Sequence, residues 1–447
     1  MENINQINLQ KNQQFVVKII DYGANGEGIA KINGLTVFVP FALVGETVEI
    51  LIVQVKKDFA FAKVLNVVEK SNKRVDAPCP YFTKCGGCQL QHMDYSEQLQ
   101  YKTYFVRNCL KKYANISADV NACKPCVNEY KYRNKFSFPV QEVDGKICVG
   151  MYRVGSHKFV KIDDCLLQTN AKNIIDAFID YATKYNIKVY NDQTKNGVKH
   201  LVCRFFDDEI LLTIVATKKM QNLQYLYDNL CKNYKIVNIS VNINKKENNV
   251  IMGDVDYTKF GSGYLQIQEY GLKYFINNHS FMQVNNYIKH QLYNEVLNYV
   301  NTNDTVIDAY SGAGVLSAIL AQKCKRVYGI EIVKPAVESA NMLAKNNRIK
   351  NCTNICGDCA VELPKLVDKL SDFIVVLDPP RKGCDVKVLQ ALNKTLPNKI
   401  IYISCNPATL ARDLNILNDN YNVQSITPYD MFPQTANVET LAILTKK

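Results

Sequence analysis

The run Ser404-Cys405-Asn406-Pro407-Ala408-Thr409-Leu410-Ala411-Arg412-Asp413 places a cysteine where the apolar stretch Lys399 to Ser404 gives way to a loop. Ligands of α/β sheets bind at the carboxyl ends of strands, and a thiol there is a competent nucleophile once deprotonated. A helix beginning near Ala408-Thr409-Leu410 would favour the thiolate through its positive end. Asp378-Pro379-Pro380-Arg381-Lys382-Gly383 ends another apolar stretch. Its prolines stiffen the loop around Asp378, and Arg381 and Lys382 are suited to phosphate or substrate. Glu439 precedes the last apolar run and supplies an acid–base group. Cys384 is a rival thiol, ranked lower because no comparable loop leads from it into a helix.

A second constellation suits a cofactor. Asp308-Ala309-Tyr310-Ser311-Gly312-Ala313-Gly314 lies between a candidate strand and a candidate helix, where glycines permit a tight turn and close backbone approach. Ser317 breaks the Gly-x-Gly-x-x-Gly dinucleotide pattern, and the Lys-Ser/Thr of a phosphate loop is absent. Glu331 closes the next strand, where a carboxylate can hold a ribose diol, and Asp358 follows Cys356-Gly357 in a third loop, suited to meet an adenine edge. Together they point to S-adenosylmethionine.

A third constellation is Cys79, Cys85 and Cys88 around Gly86-Gly87, with Cys165 the best fourth ligand. Four thiolates suit zinc or a [4Fe–4S] cluster, and spacing does not separate the two. Cys123 and Cys126 lack a comparable partner set and read as structural.

The elements that must position these groups form more than one domain in a chain of 447 residues. Apolar residues make up 47% and charged residues 21%, a globular profile. A net charge of +12 favours polyanionic partners. No run approaches the ~20 apolar residues of a membrane span, and Met1 to Gln14 has no apolar signal core, so a cytoplasmic protein, monomeric by default, is expected. Sixteen cysteines in such a chain read as thiols rather than a disulfide scaffold.

Residues 1–70 read as a small β-barrel of short strands and glycine turns, residues 71–275 as a central α+β region, and residues 276–447 as a Rossmann-like α/β domain. The middle region starts with the cysteine-rich loop and a basic helix near 95–117, and it carries hairpins at Asp144-Gly145 and Asp207-Asp208. Tyr130 and Tyr132 alternate with Lys131, Arg133 and Lys135, a mixture suited to phosphates and bases.

At Phe281-Met282-Gln283-Val284-Asn285, Asp378-Pro379-Pro380-Arg381 and Ser404 to Asp413, the chain resembles the RNA uracil-5-methyltransferases. It is most similar to the bacterial 23S rRNA enzymes with a TRAM domain and an iron–sulfur cluster. The resemblance implies cofactor contacts at Gln283, Tyr310, Glu331, Asp358 and Asp378, and a [4Fe–4S] cluster on Cys79, Cys85, Cys88 and Cys165. It implies that Cys405 adds to uracil C6, that Glu439 removes the C5 proton, and that Asp378 assists. Three positions depart from the family pattern: Val315 replaces a common Asn, and Gln434 and Asn437 replace two histidines upstream of Glu439.

The expected substrate is 23S rRNA, preferred to tRNA because the barrel and cysteine cluster typify the rRNA branch. The alternatives are a tRNA enzyme, a methyltransferase acting on cytosine C5, and a catalytically idle RNA-binding or assembly protein.

Overall fold

The computed structural model describes residues 9–114, 116 and 119–447. The polar stretch read at Met1 to Gln14 and the end of the helix expected near 95–117 therefore lie partly outside the described residues.

The first six strands form one curled sheet in the order Gln14–Lys18, Thr47–Val55, Phe59–Glu69, Leu35–Val39, Gly28–Ile32, Asp21–Tyr22. Alternation along Thr47–Val55 turns Val48, Ile50 and Ile52 inward, where they pack with Val37, Val39 and Ala60. The segment between the two edge strands bridges the ends of the sheet: the Ile19 N–H donates to the Glu46 carbonyl at 2.9 Å and the Ile20 N–H to the Ile29 carbonyl at 2.8 Å.

Asp94 starts the next element: its Oδ1 accepts from the Glu97 N–H at 2.8 Å, capping the helix Tyr95–Ala114. The apolar stripe of that helix, Val106, Cys109, Leu110 and Ala114, packs on Leu410, Leu414 and Leu417 of the helix Pro407–Leu417. A segment distant in sequence thus braces the helix behind Cys405.

The central unit is a seven-stranded sheet in the order Val255–Gly261, Lys235–Ile243, Glu209–Ala216, Val198–Phe206, Lys135–Val143, Lys146–Tyr152, Phe159–Lys161. One pair, Glu209–Ala216 with Lys235–Ile243, is parallel and is linked through the helix Leu223–Leu230. That helix and Ala171–Lys184 bury Leu226, Ile174 and Phe178 against the sheet. The metal cluster expected in this unit is corrected: among the described residues, no group of three or more His, Cys, Asp or Glu side chains is arranged to hold a metal ion.

The last sheet runs Cys352–Cys356, Arg326–Glu331, Thr305–Ala309, Ile374–Leu377, Lys399–Ser404, Glu439–Lys446, Tyr421–Tyr429. Its first five strands are parallel, and Glu439–Lys446 runs against both of its neighbours. Helices cover both faces, so a central strand such as Ile374–Leu377 is wholly apolar and wholly buried. No helix among the described residues is long and apolar enough to cross a membrane.

Candidate active site

The carboxyl ends of the parallel strands open onto a cavity of about 670 Å³. Gln283, Tyr310, Glu331, Asp358, Asp378, Cys405 and Glu439 all line it, so seven residues spread over 157 positions of chain face one space.

The glycine turn is shaped by its neighbours. Tyr310 leaves the strand Thr305–Ala309 with φ +67°, and Gly314 has φ +76° at the start of the helix Val315–Ala321. A Cβ on Gly314 would stand 2.5 Å from the Ala340 Cβ, so only glycine lets the turn lie against the next helix. Glu331 holds the turn: its Oε2 accepts from the Gly312 N–H at 3.0 Å and its Oε1 from the Val333 N–H at 2.8 Å. Asp358 caps the helix Cys359–Val367, accepting from the Ala360 N–H at 2.9 Å. The glycine turn, two carboxylates at successive strand ends and a cavity of this size fit an adenosine-bearing cofactor.

Cys405 follows the strand Lys399–Ser404. Antiparallel pairing ends with Ser404 opposite Thr440, which brings the adjacent residues Cys405 and Glu439 to the same cavity. The loop is tied to its neighbour: Asn406 Nδ2 donates to the Arg381 carbonyl at 3.1 Å, and the Thr409 hydroxyl donates to the same oxygen at 3.3 Å. Asn406 also caps the following helix through the Ala408 N–H, 3.2 Å away. Asn-Pro-Ala-Thr therefore both begins a helix and fixes Cys405 beside Asp378-Pro379-Pro380-Arg381.

The electrostatics oppose the resting thiolate expected from the helix N-terminus. Burial, then Glu439 and Asp378, push the Cys405 thiol up to about 11, against the opposing pull of Arg381. Glu439 is 3% exposed and is driven well above the carboxylate range, by burial first and Asp378 second. Asp378 is half-buried on the cavity wall, and burial with Asp308 pushes it up to about 7. A helix end acts on nearby charge weakly, and here burial and two carboxylates outweigh it. Burial thus disfavours charge on all three groups, and the thiol in particular rests neutral.

Cys384 takes no place in the cavity. It is 5% exposed, and its N–H donates to Asp413 Oδ2 at 2.8 Å. The same oxygen accepts from the Tyr402 hydroxyl at 2.6 Å, and Arg412 Nε donates to Oδ1 at 2.8 Å. Ala-Arg-Asp at the end of the nucleophile motif is thus an internal anchor.

Cys79, Cys85, Cys88 and Cys165 line a separate cavity of about 410 Å³, with Arg133, Lys135, Phe136, Phe138 and Ile162. All four are free thiols; burial pushes Cys88 up to about 12 and Cys165 up to about 11. They stand along the cavity wall without forming a metal-holding group, which overturns both the [4Fe–4S] and the zinc reading. The fold brings Cys165 to the cavity that Cys79, Cys85 and Cys88 share without converging the four on one point.

Tyr274, Lys289 and Tyr293 in the active-site cavity were not singled out from the sequence, and Asp308 was read only as the start of the glycine turn. The signal for Lys289 was present. It begins the spacing Lys289, Leu292, Tyr293, Val296, so a cation occupies the buried stripe of the helix Asn286–Asn298.

A family profile described as tRNA (Uracil-5-)-methyltransferase matches residues 94–447, and a TRAM domain profile matches residues 9–65. An uncharacterized RNA methyltransferase of Clostridium tetani is 38% identical over 449 residues, covering 98% of each chain. One from Bacillus cereus is 38% identical over 448 residues with the same coverage. The crystal structure of Pyrococcus abyssi tRNA (uracil-54, C5)-methyltransferase with S-adenosyl-L-homocysteine superposes with a TM-score of 0.77 at 25% identity, covering 96% of this chain and 99% of that one. These findings correct the expected 23S rRNA substrate. A tRNA enzyme matches 96% of this chain, and the remainder is too short to hold the six-stranded barrel, so the barrel does not mark the rRNA branch.

Proposed function

Because the chain belongs to the tRNA (uracil-5-)-methyltransferase family, we propose that it methylates C5 of a uracil in tRNA, using S-adenosylmethionine. The observation that carries this reading is the placement of Cys405 and Glu439 together on the wall of a cavity that also holds Gln283, Tyr310, Glu331 and Asp358.

Uracil C5 is a weak nucleophile. Addition of the Cys405 sulfur to C6 makes C5 enolate-like, and the thiol proton passes to a carboxylate, for which Asp378, held near neutrality, is suited. The bound cofactor supplies an electrophilic methyl group. Glu331 and Asp358 would hold its ribose and adenine, and Gln283 and Tyr310 would flank it. Glu439, as the carboxylate, takes the C5 proton; the C6–S bond then breaks and frees Cys405. The buried, apolar setting that raises these acids also excludes water from the enolate. Phe281, 71% exposed at the mouth, and Arg381 stand where an unstacked base and its phosphates would enter.

The test is transfer of labelled methyl to unmodified tRNA and 23S rRNA, with the product nucleoside identified by mass. 5-Methyluridine in tRNA is expected, and position 54 is the first to map, since the matched archaeal enzyme acts there. Label confined to 23S rRNA would overturn the tRNA reading, and label on cytosine would overturn the base.

A further inference from the structure

Lys289 is 3% exposed, yet it lines the active-site cavity beside Tyr274, Val315 and Leu316. Its ammonium donates to Glu269 Oε2 at 2.6 Å, and Asn286 Oδ1 stands 3.5 Å away, the limit of a weak contact. Glu269 is shared: its Oε2 also accepts from the Tyr274 hydroxyl at 2.6 Å, and its Oε1 meets His290 Nε2 at 2.8 Å. An ammonium has three protons, so this cluster leaves Lys289 with capacity for another anion.

A buried cation on an otherwise apolar helical stripe costs stability, and its carboxylate partner makes it tolerable without explaining it. The other cations lining the cavity are Arg381 and Lys382. Arg381 acts on Cys405 and Glu439, at the reacting end. The glycine turn leads into Val315 and Leu316, which bring no charge, and its Gly312 N–H is already taken by Glu331.

Resting on the S-adenosylmethionine reading above, we propose that Lys289 receives the carboxylate of the cofactor's amino-acid end, with Glu269 as its positioning residue. The cavity then meets each end of the cofactor with matching chemistry: carboxylates Glu331 and Asp358 toward the nucleoside, a buried ammonium toward the carboxylate.

The experiment measures equilibrium binding of S-adenosylmethionine and its decarboxylated analogue to the full chain without RNA. Charge-assisted hydrogen bonds put the expected loss for Lys289→Met at about 10- to 100-fold for S-adenosylmethionine, with the analogue unchanged. Glu269→Gln combined with Lys289→Met should show the same selective loss, with no stranded carboxylate in the site. Equal losses for both ligands, no loss, or recovery in the double variant would overturn the assignment of Lys289. Failure of the wild-type protein to bind either ligand would remove the cofactor reading itself, and this inference with it.

Discussion

Lys102 and Asp430 form an ion pair with neither side chain exposed, and the same ammonium donates to the Phe432 carbonyl at 3.1 Å. It joins the helix Tyr95–Ala114 to the segment that leads into Glu439. Nearby, the Gln434 N–H donates to Gln98 Oε1 at 3.0 Å and Gln98 Nε2 returns a bond to Gln434 Oε1 at 3.0 Å. An amide pair therefore occupies the place where the family pattern has a histidine. Removing one member of a buried pair strands the other, so Lys102→Met should cost about 3–5 kcal/mol in urea unfolding. Lys102→Met with Asp430→Leu should recover most of it; a double variant as unstable as the single would show that packing, not charge, dominates.

Cys405 and Glu439 line one cavity but act at different steps of the proposed reaction. Cys405→Ala should abolish turnover and leave tRNA affinity nearly unchanged. Glu439→Gln should still permit attack and methylation while blocking release, so a protein–RNA adduct should accumulate on denaturing gels. Free turnover in that variant would remove Glu439 as the base.

Much of this site was legible because parallel strands announce themselves as apolar runs, and the residue after each run faces the cavity. Tyr310, Glu331, Asp378 and Cys405 all stand at such positions, and the structure gathers them in one cavity. Protonation was not legible, since the state of Cys405 depends on Glu439 and Asp378, which come together only in the fold. The metal reading failed for a related reason: local density around Gly86-Gly87 says nothing of convergence with Cys165. Substrate choice was misread from the barrel, which a tRNA enzyme shares.

Asp308 is 1% exposed and accepts from the Ser317 hydroxyl at 2.5 Å, yet burial pushes it up to about 7. Its ordinary value is about 4, so the folded state holds a proton that the unfolded chain releases. That contribution is complete below about pH 4 and is lost as pH rises to about 7. Asp308→Asn should therefore gain stability relative to wild type between pH 5 and pH 8, by a few kcal/mol in order of magnitude. A constant difference between the two proteins at both pH values would show that Asp308 ionises as freely folded as unfolded.

Gly314 and Gly34 offer a matched comparison of strain and contact. Both have positive φ, +76° and +86°. A Cβ at Gly34 meets nothing within 4 Å, whereas one at Gly314 falls 2.5 Å from Ala340. Gly34→Ala should cost only the backbone term, about 1 kcal/mol, and leave cofactor affinity alone. Gly314→Ala carries the same term and must also push the glycine turn away from the helix Lys334–Asn346, which shifts the Gly312 N–H off Glu331. Calorimetric binding of S-adenosylhomocysteine should therefore weaken at least tenfold in Gly314→Ala, about 1.4 kcal/mol, and stay unchanged in Gly34→Ala. Equal affinity in both variants would mean that the turn does not form the cofactor's seat, whatever the variants do to stability.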